Sequence, residues 1–149
     1  MRPIRPTDSR LVREIYVDAI QTQATQAYNP EQIQAWSQLA WLPGILDRTL
    51  EEGQGWIRGV DDGFAIRHPA NRLSMLFCRG RSSRQGHGSA LLQAIEDDAQ
   101  RLGITRLQTE ASLLSRPMLE RRGWMLIAPE AFTIAGVPFV RFNMQKTLG

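Results

Sequence analysis

Cysteine occurs once in this 149-residue chain, at Cys78, and lysine once, at Lys146. A single cysteine forms no internal disulfide, and no Cys/His cluster has zinc-site spacing, so neither a disulfide framework nor a structural metal is expected. Schiff-base chemistry has only Lys146 to draw on, beside Thr147 and Leu148 in the tail. Long apolar runs are also missing. Nothing approaches the ~18 apolar residues of a membrane span, and Met1-Arg2-Pro3-Ile4-Arg5 lacks the apolar core of a secretory signal. No Gly-Lys-Ser/Thr is present, which excludes a Walker phosphate loop. These absences predict a cytoplasmic protein with no membrane association and no metal. Repeats, linkers and low-complexity tails are absent too, and 42% hydrophobic with 22% charged residues reads as one globular domain over residues 1–149.

What is present is arginine: 17 of the 18 cations, against 15 acids, for a net charge of +3. Arginine suits bidentate binding of phosphate or carboxylate; codon bias is the alternative source of so many. Their placement is more informative. Between Arg79 and Ser89 stand Arg79, Arg81 and Arg84 with no acid, a local excess as large as that of the whole chain. A nucleic-acid surface is disfavoured, because neither a helix-turn-helix nor an aromatic platform accompanies the arginines.

Periodicity orders the chain as βααβββαβαββ. A short edge strand around Ile4 precedes a helix capped by Asp8 or Ser9 and carrying Leu11, Ile15, Ala19 and Ile20. A glutamine-rich stretch leads to Asn29-Pro30, an N-cap followed by a first-turn proline. That helix carries Ile33, Trp36 and Leu39, and Ile45 to Glu52 forms another short one. Trp56 to Val60 and Phe64 to Arg67 flank Asp61-Asp62-Gly63 as a hairpin, and the mostly apolar Leu73 to Cys78 reads as a central strand. Leu91, Leu92, Ile95, Ala99 and Leu102 share a helical stripe closed by Gly103. Ile104 to Ala111 is a strand, Ser115 to Arg122 a short helix, and Trp124 to Ile134 pairs with Val137 to Met144. The expected class is α+β: a mixed, mostly antiparallel sheet with one parallel βαβ crossover and helices on both faces.

At the junction Arg84-Gln85-Gly86-His87-Gly88-Ser89-Ala90 a strand gives way to a helix through small residues. Unpaired N–H groups and the helix dipole make such a junction an anion site, worth ~0.3–1 kcal/mol per exposed charge and up to ~2 when partly buried. With Arg81 and Arg84 nearby, a diphosphate suits this row of donors; an ordinary tight turn is the other reading. Glu110, at the end of the next strand, lies at roughly Rossmann spacing for a ribose-binding acid. Leu91 at the third glycine position and the single parallel crossover oppose that fold.

The loop resembles the pyrophosphate loop of the GNAT family of N-acetyltransferases, Arg/Gln-x-x-Gly-x-Gly/Ala followed by a helix beginning like Ser89-Ala90-Leu91-Leu92. The likeness extends over nearly the whole chain. Ala111-Ser112 and Arg116 to Trp124 are similar to the family's second motif, which typically ends in Tyr-Glu-x-x-Gly-Phe. Tyr28 to Trp36 and Phe142 to Lys146 are similar to a bacterial subgroup of small members, mostly of unassigned substrate.

The resemblance implies acetyl-CoA as cosubstrate, held at Arg84, Gln85, Gly86, His87, Gly88 and Ser89. It also implies that the Leu73 and Ile104 strands splay into a V, where main chain near Phe77, Cys78 and Arg79 pairs with pantetheine. A main-chain N–H near Cys78 then polarises the thioester carbonyl. The acceptor implied is a primary amine of a small molecule or peptide, attacking directly, in a monomer or homodimer. A degenerate acyl-CoA-binding regulatory module is the alternative.

Three positions depart from the family pattern: Ser83 where the loop begins with Arg or Gln, Ser112 where many members have Asn, and Leu119 where many have a Tyr that protonates the thiolate. Either the thiolate leaves unassisted, as a thiol-like pKa of ~8.5 permits, or Ser112 or Ser115 donates. A lysine-like amine needs about 4–5 kcal/mol to deprotonate at neutral pH, and Glu110 is the candidate base; a solvated strand-end carboxylate is its other reading. Tyr28, Trp36 and Trp41 line the acceptor pocket or belong to the core. His87 is expected to point to solvent or pack over its turn, Cys78 to be a buried structural thiol, and one arginine of Glu120-Arg121-Arg122 to reach a CoA phosphate.

Overall fold

The computed structural model describes residues 1–149, apart from the side chain of residue 45. Its elements are β1 Arg2–Pro3, α1 Ser9–Gln23, α2 Pro30–Ser37, α3 Ile45–Glu52, β2 Gln54–Arg58, β3 Gly63–Arg67, β4 Leu73–Cys78, α4 His87–Arg101, β5 Arg106–Ala111, α5 Arg116–Arg121, β6 Met125–Ile134 and β7 Val137–Thr147. This is the expected α+β order, with the short Ile45–Glu52 segment standing as a third helix before the first hairpin. No helix among the described residues is long and apolar enough to cross a membrane.

Local chemistry accounts for the main boundaries. Asn29 caps α2, its side chain accepting from Gln32 N–H at 2.8 Å while Gln32 Oε1 accepts from Asn29 N–H at 3.0 Å. Gly103, at φ +79°, ends the α4 turn, with Ile104 N–H returning to Ala99 C=O at 3.0 Å. Leu91, Leu92, Ile95 and Ala99 of the α4 stripe are fully buried, but Leu102 is 66% exposed because it has passed the last helical turn. The first hairpin sits two residues earlier than periodicity predicts. Gly59 takes φ +64° and Asp62 N–H bonds Arg58 C=O, so the turn is Gly59 to Asp62 and Val60 lies outside the strand.

The strands divide into two sheets, β1-β2-β3-β4 and β5-β7-β6. β4 and β5 run parallel across the α4 crossover, as expected, yet they meet only at the Arg72–Gln108 bridge. Gln108 N–H donates to Asn71 C=O at 2.9 Å and Thr109 Oγ1 to Leu73 C=O at 2.7 Å, and beyond these bonds the strands separate. β4 is therefore not the central strand that its apolar sequence predicts. That place belongs to β3, buried at all five residues between two helical layers, whereas β4 is only partly buried after Leu73. Phe64 and Ile66 join α1 and α2 in one core, and Ala65 joins α4 and β5 in the other. Helices thus cover both faces, and the V between β4 and β5 opens between the cores.

Candidate active site

The V holds a continuous passage. At its outer end a cavity of about 860 Å³ is lined by Gln23 and Gln26 of α1 and its following turn, by Arg84 to Ser89 except Gln85, and by Arg121. A channel of about 140 Å³ continues inward and shares Gln23, Cys78, Gly88, Leu114 and Met118 with that cavity. It then shares Leu76, Phe77, Ser112 and Ser115 with an inner cleft of about 230 Å³.

The outer cavity is built from backbone. Arg84 and Gly86 adopt left-handed φ values of +61° and +83°, and α4 starts at His87. Ala90 N–H is bound to Gly86 C=O, so the N–H groups of His87, Gly88 and Ser89 precede the first intrahelical bond and face the loop. Alternating left- and right-handed residues turn successive N–H groups to one side, forming an anion nest. His87 Nδ1 accepts from Arg58 Nε at 3.3 Å, so this ring is held by strand β2 rather than free in solvent. Gln85 turns its side chain back to Arg81 C=O and does not line the cavity.

The local charge excess is largely cancelled. Arg79 pairs with Asp18 at 3.3 Å and Asp61 at 3.2 Å, and Arg81 with Asp61 at 2.5 Å. The main chain of Arg79 is occupied as well, its N–H donating to Asp62 C=O and its C=O accepting from Ser82 N–H. Arg79 therefore braces the end of β4 through two acids, with its backbone N–H and C=O already paired. Arg84 and Arg121 are the cavity arginines without an ion pair among the described residues. Arg122, by contrast, is turned to Gln93.

Along β4 the pleat decides which groups face the gap. Because Arg79 N–H points to the β3 side, Phe77 also bonds toward β3, and Leu76 and Cys78 present N–H and C=O to the opening. Phe77 contributes its ring instead, 4.7 Å from Tyr16 and 6.1 Å from Trp36. Gln23 Nε2 already reaches Cys78 C=O at 2.5 Å, leaving the Cys78 N–H as donor. Burial, and secondarily the Asp62 charge, push the Cys78 thiol up to about 11. It is protonated at neutral pH and unsuited to nucleophilic attack.

In the inner cleft, Glu110 Oε2 accepts from Arg72 Nε at 2.8 Å beside the apex of the V. Trp36 lines this cleft as expected. Tyr28 does not. It is buried against Trp36 and Phe139, and its hydroxyl accepts Leu113 N–H at 2.9 Å, pinning the turn that carries Ser112. Trp41 is 58% exposed and lines none of these spaces. Leu119 is 1% exposed in the cleft floor and has no proton to give.

The two serines differ in how many backbone donors they accept. Ser112 Oγ accepts N–H bonds from Leu114 at 3.1 Å and Ser115 at 3.2 Å, which uses both lone pairs. The two hydroxyl oxygens lie 3.3 Å apart with either able to donate, and Ser115 Oγ also accepts Ser112 N–H at 3.1 Å. Ser115 Oγ accepts one backbone N–H where Ser112 Oγ accepts two, so Ser115 is the less committed hydroxyl. It stands one helical turn before Leu119, the direction in which a longer side chain at 119 leans. Sequence reasoning offered Ser112 first; only the hydrogen-bond geometry ranks Ser115 above it. Gln23, Leu76, Arg72 and Arg141 carry no local signal in the sequence and enter the site through packing alone.

A nest at a helix start, opening into a splayed parallel strand pair, defines an acyl-transfer fold of the GNAT type. Residues 24–148 match the acetyltransferase (GNAT) domain, and the chain belongs to that family of acetyltransferase enzymes. It is similar to the uncharacterized N-acetyltransferase YafP of Escherichia coli K12, 27% identical over 97% of this chain and 93% of YafP. A GCN5-related N-acetyltransferase from Rhodopseudomonas palustris shares the fold at a TM-score of 0.92, with 25% identity over 99% of this chain and 94% of that one. The paia N-acetyltransferase of Thermoplasma acidophilum, solved in complex with coenzyme A, aligns at 0.68 with 18% identity over 95% and 93% of the two chains.

Proposed function

We propose that this protein is an acetyl-CoA-dependent N-acetyltransferase that moves the acetyl group by direct attack of a primary amine, without an acyl-enzyme. The observation that carries the reading is the continuous passage from the α4 nest through the channel to Glu110. The donor set fits a diphosphate with a thioester arm: N–H groups of His87, Gly88 and Ser89 with Arg84 and Arg121 at the outer end, then the edge of β4 inside. A protein of this fold solved in complex with coenzyme A supports CoA as the ligand.

Acetyl-CoA supplies an acetyl group activated as a thioester. The Cys78 N–H is placed to stabilise negative charge on an acyl oxygen. Glu110, held by Arg72, accepts the proton that the amine sheds, directly or through water. The Ser115 hydroxyl is placed to donate a hydrogen bond to the departing thiolate, which a thiol-like pKa of ~8.5 lets leave without full protonation, and Ser112 orients Ser115. The Cys78 thiol is protonated at neutral pH and offers no thiolate for an acyl-enzyme route.

The reading is tested by ligand-induced stabilisation and by thiol release. Acetyl-CoA at about 100 times Kd should add roughly 2.7 kcal/mol, raising Tm by about 5–10 °C for a domain of this size, while NAD leaves it unchanged. Thiol release should follow on adding an acceptor amine; stabilisation with silence toward every amine favours the binding module. Ser115→Ala is expected to lower kcat roughly tenfold with KM for acetyl-CoA unchanged, less than a typical general-acid loss because a thiol of pKa ~8.5 leaves readily. Ser112→Ala should instead cost about 1 kcal/mol of stability by removing the acceptor for two N–H groups.

A further inference from the structure

The inner cleft is not a neutral hole. Arg72 uses only Nε on Glu110, so both of its terminal guanidinium nitrogens lack a protein acceptor among the described residues. Arg141, also in the lining, spends Nε and Nη2 on Glu130 and stacks over Phe132, with the guanidinium carbon 4.4 Å from the ring centroid. Its Nη1 has no protein acceptor among the described residues. Glu110 and Arg141 project from one face of their sheet: Glu110 pairs across with Asn143, two residues from Arg141 on β7. One carboxylate and three uncommitted guanidinium nitrogens therefore border the same space.

An apolar side pocket of about 140 Å³ opens off this cleft. It shares Tyr16, Leu39 and Met75 with the cleft and is completed by Leu42, Pro43 and Leu46.

Resting on the acetyl-transfer reading above, we propose that the acceptor is an apolar α-amino acid, acetylated on its α-amine. Glu110 receives the amine, the Arg72 and Arg141 guanidinium groups take the carboxylate, and the side pocket takes an aliphatic, thioether or small aromatic side chain. Spacing selects the α-amine. The acid and the arginine that recognise the two ligand groups are themselves hydrogen-bonded at 2.8 Å, so the amine and carboxylate they meet are close neighbours, as across one carbon. A polyamine would place a second cation against the arginines, and an amino sugar would place hydroxyls in an apolar pocket.

The test compares thiol release from acetyl-CoA with L-leucine, L-methionine and L-phenylalanine against leucinamide, isoamylamine, glycine and spermidine, scaled to free-amine concentration. The apolar amino acids should exceed leucinamide and isoamylamine in kcat/KM by about tenfold or more, the expected worth of a charge-assisted carboxylate contact, and glycine should be poor. Arg141→Gln should reduce the leucine-to-leucinamide preference, taken as the ratio of the two kcat/KM values on the same variant, at least fivefold, with the acetyl-CoA rise in Tm retained. Equal or better turnover of leucinamide or spermidine overturns the proposal. So does failure to use any apolar amino acid while acetyl-CoA still raises Tm. Loss of the acetyl-CoA shift itself overturns the acetyl-transfer reading beneath it.

Discussion

Gly88→Val is expected to abolish the stabilisation by acetyl-CoA while leaving the fold intact. Gly88 lines both the outer cavity and the channel. A Cβ there would lie 3.1 Å from Met118 Sδ and 3.9 Å from Cys78 Sγ. Both neighbours face the passage. Met118 is a flexible side chain that yields a few tenths of an ångström, so the helix survives. The two methyl groups of valine then occupy the junction through which the pantetheine arm has to pass. The whole rise of about 5–10 °C expected for the parent protein at ~100 times Kd should vanish. The melting temperature without ligand should fall only slightly, because residue 88 stands in the first helical turn. A variant that keeps the full shift would refute the placement of the cosubstrate. Gly86→Val is a less clean probe, since φ +83° makes a β-branched residue strained there whatever the space.

Glu110→Gln is expected to lower kcat by about 10²–10⁴, the usual range for a positioned general base. Glutamine keeps a carbonyl oxygen for Arg72 Nε, so the apex of the V and the acetyl-CoA shift should be retained. The diagnostic readout is the pH profile. An amine that must lose its proton unaided reacts in proportion to its free-base fraction, so the deficit of the variant should narrow as pH rises toward the amine's own pKa. A merely structural loss would not narrow in this way. Equal rates for parent and variant at neutral pH would remove Glu110 from the chemistry and leave it as the partner of Arg72.

Much of the fold was legible because its signals are local. The Asn29-Pro30 cap, the Leu91 to Ala99 stripe with Gly103 behind it, and the strand-to-helix glycine junction each span a few residues and obey short-range rules. Boundaries failed where the rule was subtler: Gly59 rather than Gly63 supplies the left-handed turn residue of the first hairpin. The apolar run of β4 was ambiguous for another reason. An edge strand that borders a binding channel and a central strand between two layers both carry apolar residues, so composition does not separate them.

The candidate site was legible in which residues line the passage but not in their wiring. Gly86 to Ser89, Cys78, Glu110, Ser112 and Trp36 line the passage that the resemblance implies. Arg79 and Tyr28 belong instead to its frame, one bracing β4 through two acids and the other holding the turn before α5. Ser115, Arg72 and Arg141 gain their meaning from neighbours far along the chain.

The scarcity of lysine and cysteine, the strand and helix order and the glycine loop followed from the sequence alone, because caps, periods and small-residue turns act over one or two turns of backbone. The arginine excess around that loop was a true count with a different meaning in three dimensions. Asp18 and Asp61 lie 61 and 18 residues before Arg79, and folding brings both against it. Ion pairing depends on distance in space, and a carboxylate within 3.3 Å cancels a cation however remote it is in sequence. Tertiary structure therefore decided that the outer cavity keeps the loop N–H groups, Arg84 and Arg121 uncommitted, and that the uncommitted guanidinium nitrogens of Arg72 and Arg141 border the inner cleft.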